Sequence, residues 1–277
     1  MNANKLVLGT VQFGLQYGIN SAGRPSTEQV SDILDNAKAG GIKILDTSSA
    51  YGNAEEVLGA IKAGSNFNIV SKYPKCDKPV ADTFINSLKV LGVDHLYGYL
   101  LHHFEVYRER KEVWNDFIQL QKDGKVDRIG FSLYEPWELD IILKDGIPFS
   151  LVQVPFNIFD RQFEPYFKKL KEMDVEIHVR STFLQGLFFK DRNTLPKKLE
   201  PLKKHLLQLD EYANCKGISV GELALNYNLQ NPYIDGVLIG VDNKDQLTQN
   251  FASVKDVEIN IDIRVEDPDL LKPVNWK

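Results

Sequence analysis

Short apolar runs alternate with longer stretches of helical period along the whole chain. Eight runs have strand length: Leu6–Gly9, Lys43–Asp46, Asn68–Ser71, Leu96–Leu101, Arg128–Ser132, Ser150–Val154, Glu176–Val179 and Gly236–Ile239. They lack the in/out alternation of a one-sided sheet, as parallel strands covered by helices do. Between them, Ser26-Thr27-Glu28 opens a helix over Gln29–Ala39 that stops at Gly40-Gly41, and Asp82 is the expected cap of Thr83–Leu91 before Gly92. One helix is expected over Arg108–Lys122, and Pro136 marks the first turn of the next. Leu199–Asn214 and Ser219–Leu229 are consecutive helical stretches, so one is an insertion. Strands alternating with helices imply right-handed crossovers, and eight units predict an α/β fold closed into a (β/α)8 TIM barrel.

Composition narrows the function classes. The 277 residues contain no Pro/Gly/Ser-rich linker, and barrels of roughly 200–250 residues or more are single units, so one domain is expected over 1–277. The formal charge of −5, with Lys and Arg spread out, provides no concentrated basic surface for nucleic acid. Cys76 and Cys215 are the only cysteines and lack metal-type spacing, which fits a reducing compartment. No signal peptide precedes the first strand, and no apolar run approaches the ~20 residues that span a bilayer. A cytoplasmic protein with no membrane partner is expected.

Barrel chemistry sits at the C-terminal strand ends. There the chain places Asp46 and, shortly after it, Tyr51; then Lys72; then His102-His103. Strand alternation points His103 to the opposite face, leaving His102 as the candidate. Each residue alone could be a loop cap, a packed aromatic, a solvated lysine or a core histidine. Together, at three successive strand ends, those readings are hard to sustain. The first strand runs into Gly9-Thr10-Val11-Gln12-Phe13-Gly14, which lacks the G-x-G-x-x-G of a doubly wound dinucleotide-binding sheet.

These segments resemble the aldo-keto reductase family. Asp46 and Tyr51, five apart before Glu55-Glu56-Val57-Leu58-Gly59, resemble its signature; Ser71-Lys72, Tyr99-Leu100-Leu101-His102, Gly124–Ser132 and the stretch from Gly240 to Asn250 match further segments in order. The resemblance implies an NAD(P)H-dependent carbonyl reductase of the alcohol dehydrogenase type, with a catalytic tetrad of Asp46, Tyr51, Lys72 and His102 and no metal. In that scheme Lys72, held by Asp46, lowers the phenol pKa, and His102 orients the carbonyl. NADP(H) is expected over NAD(H), held by Gly9, Thr10, Val11 and Asp46; by Ser132 and Gln153 at the carboxamide; by Arg180, Ser181 and Gly186 after strand seven; and by Gly240, Asn243, Lys244, Gln246 and Asn250 after strand eight. Two positions depart from the family pattern: Leu133 stands where Asn is frequent, and Arg180 where an aromatic stacks on the nicotinamide.

The substrate class is a small carbonyl compound: an aldehyde, ketone or sugar, with Arg180 pointing to a sugar or an anionic carbonyl. The loops Phe13–Gly23, Phe104–Arg108 and Phe183–Pro196 are expected to line its pocket, and the tail Pro273–Lys277 to fold over it. Three other readings compete: a non-redox isomerase, epimerase or lyase using the same residues, a cofactor-sensing protein, and a metal-dependent hydrolase. The last lacks the spaced His-x-His and distant carboxylates it needs.

Overall fold

The computed structural model describes residues 2–19 and 23–276. Residues 20–22 of the first candidate loop, Met1 and Lys277 lie outside the described set. Eight parallel strands close in sequence order: β1 (Leu6–Gly9), β2 (Ile44–Asp46), β3 (Asn68–Tyr73), β4 (Leu96–Leu101), β5 (Val126–Ser132), β6 (Leu151–Pro155), β7 (Glu176–Arg180) and β8 (Gly236–Gly240). β8 pairs with β1 through Leu6↔Val237 to Gly9↔Gly240, so no edge is left. The expected (β/α)8 barrel is present. The helices are α1 (Val11–Gly14), α2 (Thr27–Ala39), α3 (Ala54–Ala60), α4 (Val80–Leu91), α5 (Phe104–Glu109), α6 (Val113–Lys122), α7 (Pro136–Asp145), α8 (Phe167–Glu172), α9 (Lys203–Lys216), α10 (Val220–Leu229) and α11 (Lys244–Ala252).

Local chemistry explains most boundaries. Ser26 caps α2 in a reciprocal box with Gln29, and Pro136 occupies the first turn of α7. Three expectations need correction. Pro79, not Asp82, occupies the cap position of α4, and Asp82 sits in the first turn, where its charge complements the helix dipole. The stretch Arg108–Lys122 is not one helix: Arg110 turns extended (φ −140°, ψ 77°), and its guanidinium donates to the Cys76 carbonyl at 3.0 Å. Pro201 holds residues 197–202 in a 3₁₀ turn, so the inserted helix α9 begins only at Lys203.

Residues two apart on a strand share a face. Val70, Leu100 and Leu151, with Ile44 packed against them, form the apolar filling of the barrel. One step towards the C-terminal end, the same faces carry Lys72, His102, Gln153 and Asp46. The larger core lies between sheet and helices, where Trp114, Phe117 and Phe131 stack. A second apolar cluster joins α9 and α10 to the chain beyond α11, through Leu206, Leu209, Ile259 and Ile263, and it packs against Leu184 and Phe188. The insertion thus buttresses the loop after β7.

At the opposite end, Glu176 gathers polar groups from three strands. Its carboxylate takes Tyr97 Oη at 2.6 Å, Arg128 Nε at 2.6 Å and His178 Nε2 at 2.7 Å. Burial works against the charged form, but these donors hold its pKa below the ordinary value. Its stabilising effect is therefore full above the ordinary glutamate range and fades as pH falls through it. Glu176→Ala should lower unfolding free energy by about 2–3 kcal/mol, and Glu176→Gln should flatten the acid limb of stability. Urea unfolding from neutral to mildly acidic pH checks both; an unchanged acid limb would contradict the assignment.

Candidate active site

The C-terminal rim of the barrel brings the four predicted side chains together. Lys72, 0% exposed, donates from Nζ to Asp46 Oδ1 at 2.6 Å and to the Thr47 carbonyl at 2.8 Å. Asp46, 2% exposed, accepts a further bond on Oδ2 from Gln153 Nε2 at 2.7 Å. A buried ion pair is tolerated when its remaining valences are met, as here. Lys72 has one N–H left over from those two bonds, and its Nζ lies 5.0 Å from the centroid of the Tyr51 ring. His102 meets the same ring edge-on, with centroids 5.6 Å apart.

Close backbone packing places Tyr51. The turn α1 presses Gly14 against the Tyr51 loop so tightly that a Cβ on Gly14 would lie 1.8 Å from the Tyr51 carbonyl oxygen. Gly52 follows with φ +59°, a left-handed conformation that glycine adopts without strain. Ser49 Oγ donates to the Lys72 carbonyl at 3.2 Å, tying the loop to β3. Behind it, Glu55 accepts from Ser71 Oγ at 2.6 Å and Ser87 Oγ at 3.0 Å, pinning α3 to β3 and α4.

The electrostatics differ from the expectation in one respect. Burial raises the Tyr51 phenol well above its ordinary pKa, Asp46 adds to the rise, and Arg180 is the cation that counters it. Lys72 is the residue expected to lower the phenol, but its own charge is matched by Asp46 at contact distance. Burial also lowers Lys72, with Asp46 opposing. His102 is pushed down to about 2 by burial, then by Lys72, His103 and Arg180. It is neutral at physiological pH. Ser48 Oγ accepts from Ala50 N–H at 3.1 Å and lies 3.2 Å from His102 Nδ1. The hydroxyl has a second lone pair as well as its proton, so it matches Nδ1 in either tautomer. His103 does not turn away as strand alternation suggests: β4 has already ended, and its ring lies 4.7 Å from that of His102.

A cavity of about 440 Å³ runs from Asp46 and Tyr51 to the start of α11. Gly9, Thr10 and Val11 form one wall; Gln153, Arg180, Ser181 and Gly186 another; Gly240, Gln246 and Asn250 the far end. Asn243 instead caps α11 by accepting from Gln246 N–H at 2.9 Å, and Lys244 is exposed beside it. Ser132 is buried on β5, paired in register with Gln153, and does not line the cavity. Leu133 is buried, and its carbonyl accepts from Arg180 Nη2 at 2.8 Å. The two departures from the family pattern therefore form one arrangement.

Several lining residues escape a reading of the sequence: Gln12, Thr182, Asp242 and Gln249. Gln12 follows the first strand end, where position alone could have flagged it. Of the candidate substrate loops, Tyr17, Gly18, Phe183, Gln185 and Phe189 reach the cavity, whereas Phe13, Phe104 and Phe188 are core. No described tail residue lines it; the tail is anchored nearby through Lys272–Glu135 at 2.7 Å.

Removing Asp46 strands a buried ammonium, so Asp46→Ala should cost about 3–5 kcal/mol in stability. Adding Lys72→Met should recover most of that in urea unfolding, and failure to recover would mean the pair is not the coupled unit. By ¹⁵N-resolved NMR, His102 should show no titration between about pH 5 and 8, where an ordinary histidine titrates.

Sequence comparison supports the same reading. The profile of the Aldo/keto reductase family matches residues 5–262. The aldo-keto reductase YhdN of Bacillus subtilis is 26% identical over 97% of this chain and 93% of that protein. A glyoxal reductase of the same organism is 29% identical over 71% of this chain and 72% of its own length. An aldo-keto reductase from Bacillus halodurans, solved in its holo form, superposes with a TM-score of 0.75 at 22% identity, over 92% of this chain and 88% of that one. With a barrel rim that joins Asp46, Lys72, Tyr51 and His102 and a family match spanning nearly all of its length, the chain belongs to the aldo/keto reductase family.

Proposed function

We propose that this protein is an oxidoreductase that reduces an aldehyde, ketone or sugar carbonyl with a nicotinamide cofactor, NADP(H) rather than NAD(H), and that Tyr51 donates the proton. The observation that carries the reading is the buried Asp46–Lys72 pair beneath the Tyr51 ring, at the mouth of a long cavity. The similarity to a glyoxal reductase supports a small carbonyl substrate.

The cavity suits such a cofactor. Gln12 Oε1 is buried there without a hydrogen-bond partner, an acceptor awaiting a donor. A Cβ on Gly240 would meet the Gln12 amide at 2.5 Å, so the glycine leaves room for the Gln12 side chain in its present position. After β7, Ser181 (φ 65°), Leu184 (φ 47°), Gln185 (φ 51°) and Gly186 (φ 92°) are left-handed. Such strain gathers at ligand clamps. The start of α11 would receive phosphate at its N-terminus, with the exposed Lys244 as the nearest cation for a 2′-phosphate, while Gln153, which lines the cavity, would serve the carboxamide end.

When bound, the reduced nicotinamide supplies hydride to the carbonyl carbon. Tyr51 gives its proton to the carbonyl oxygen, so the products are an alcohol and oxidised cofactor. A raised phenol pKa keeps that proton in place at neutral pH. Lys72 acts as charge develops: a phenolate beside an ammonium is stabilised more than a phenol is, a difference that accelerates the step. Neutral His102 would donate a ring N–H to the carbonyl oxygen and orient it. Two free cysteines, Cys76 and Cys215, fit a reducing, cytoplasmic setting. No helix among the described residues is long and apolar enough to cross a membrane.

Tyr51→Phe should leave NADPH affinity nearly intact, read by nucleotide fluorescence, while lowering kcat for an aldehyde panel by about 10²–10⁴. Tight NADPH binding without turnover of any carbonyl by the unaltered protein would count for an epimerase-type or sensing role instead.

A further inference from the structure

The chain places an unneutralised guanidinium beside the proposed proton donor. Arg180 ends β7 and lines the cavity with Tyr51 and Gln153. Its Cζ lies over the Tyr134 ring, 4.1 Å from the centroid, a cation–π contact that holds the group in place. One donor, Nη2, is bound by the Leu133 carbonyl at 2.8 Å, and Nε is buried with no partner. Of five N–H bonds, the described residues thus engage one. The nearby acid Asp160 feels this charge only at longer range. Its Oδ1 is taken by Gln162, through the backbone N–H at 3.4 Å and Nε2 at 3.1 Å.

The surroundings act on the same group. Arg180 opposes the rise of both the Tyr51 and the Tyr17 phenols and depresses His102, so its field reaches the reacting groups directly. Tyr17 is held over the cavity by Gln185 Nε2 at 2.7 Å. Among the described residues no carboxylate lies at ion-pair distance from this partly buried cation. An anion in the cavity would therefore meet a charge that no side chain has already matched.

We propose that Arg180 is a specificity-determining residue that selects carbonyl substrates carrying an anionic group, a carboxylate or a phosphate. This deepens the reductase reading and rests on it for turnover. The contact with Tyr134 and the bond to Leu133 pre-orient the guanidinium, so a substrate anion binds without first freezing a long side chain. The charge then draws the carbonyl towards Tyr51.

Two matched pairs separate the sources of the anion: 4-oxobutanoate against butanal, and glyceraldehyde 3-phosphate against glyceraldehyde. The unaltered protein should prefer the charged member of at least one pair by about tenfold or more in kcat/KM. Arg180→Gln should remove roughly 100-fold on that member, as loss of a charge-assisted bidentate contact does, and less than about threefold on its neutral partner. Arg180→Lys should restore part of the difference, which a merely misfolded variant would not. The cofactor-holding role that the family resemblance implies for Arg180 is separated by NADPH affinity, which should fall no further across the series than activity on the neutral partner does. Equal losses on both members, no charge preference in the unaltered protein, or an NADPH affinity that falls in step would each overturn the proposal. Should no carbonyl turn over, butanoate and inorganic phosphate titrated calorimetrically into the protein test the anion site independently of turnover. Arg180-dependent binding of either upholds the anion site while the reductase reading falls; no such binding overturns the site.

Discussion

The architecture of the site depends on burying one ammonium. Lys72 points into the interior of a closed sheet, where water cannot solvate it, and the chain answers with a carboxylate at 2.6 Å and a backbone carbonyl at 2.8 Å. Asp46 in turn is held by Gln153 from the far side of the barrel and by its position in register with Gly9. Each of these groups is tolerated because the others are present. The pair is therefore a constraint on four strands at once, and closure of the sheet is what brings β2, β3 and β6 near enough to satisfy it.

That neutralised pair changes what the neighbouring phenol experiences. A free ammonium would draw the proton off Tyr51, whereas an ammonium already matched by a carboxylate leaves burial to dominate, and the phenol stays protonated. The charge that acts on the cavity is then Arg180, which has no such match. On the proposed function, a barrel rim with one compensated and one uncompensated cation gives them different tasks, the first at Tyr51 and the second at the remainder of the substrate. Leu133 and Arg180, which look like two unrelated departures in sequence, are joined by a hydrogen bond.

The strands are legible because eight apolar runs have no soluble alternative to parallel pairing under helices. Leu6–Gly9 and Leu96–Leu101 appear with the expected ends. The break within Arg108–Lys122 is hidden from the sequence because Arg110 is held by a hydrogen bond to Cys76, a residue distant along the chain. Asp82 has the side chain of a cap, but Pro79 supplies the cap geometry three residues earlier. At the site, Asp46, Tyr51, Lys72 and His102 can be picked out from their places at strand ends. Gln249 cannot, since its part in the cavity follows from how the last helix meets the rim.

By itself the sequence determined the number and direction of the strands and the polar residues at their C-terminal ends. These follow from periodicity and side-chain type, which are local properties. Only the tertiary structure decided which charges are compensated, that His102 is neutral and that Arg180 lies on Tyr134 with a donor unmet. Those outcomes depend on distance and burial between residues far apart in the chain, and both are set by closing the sheet.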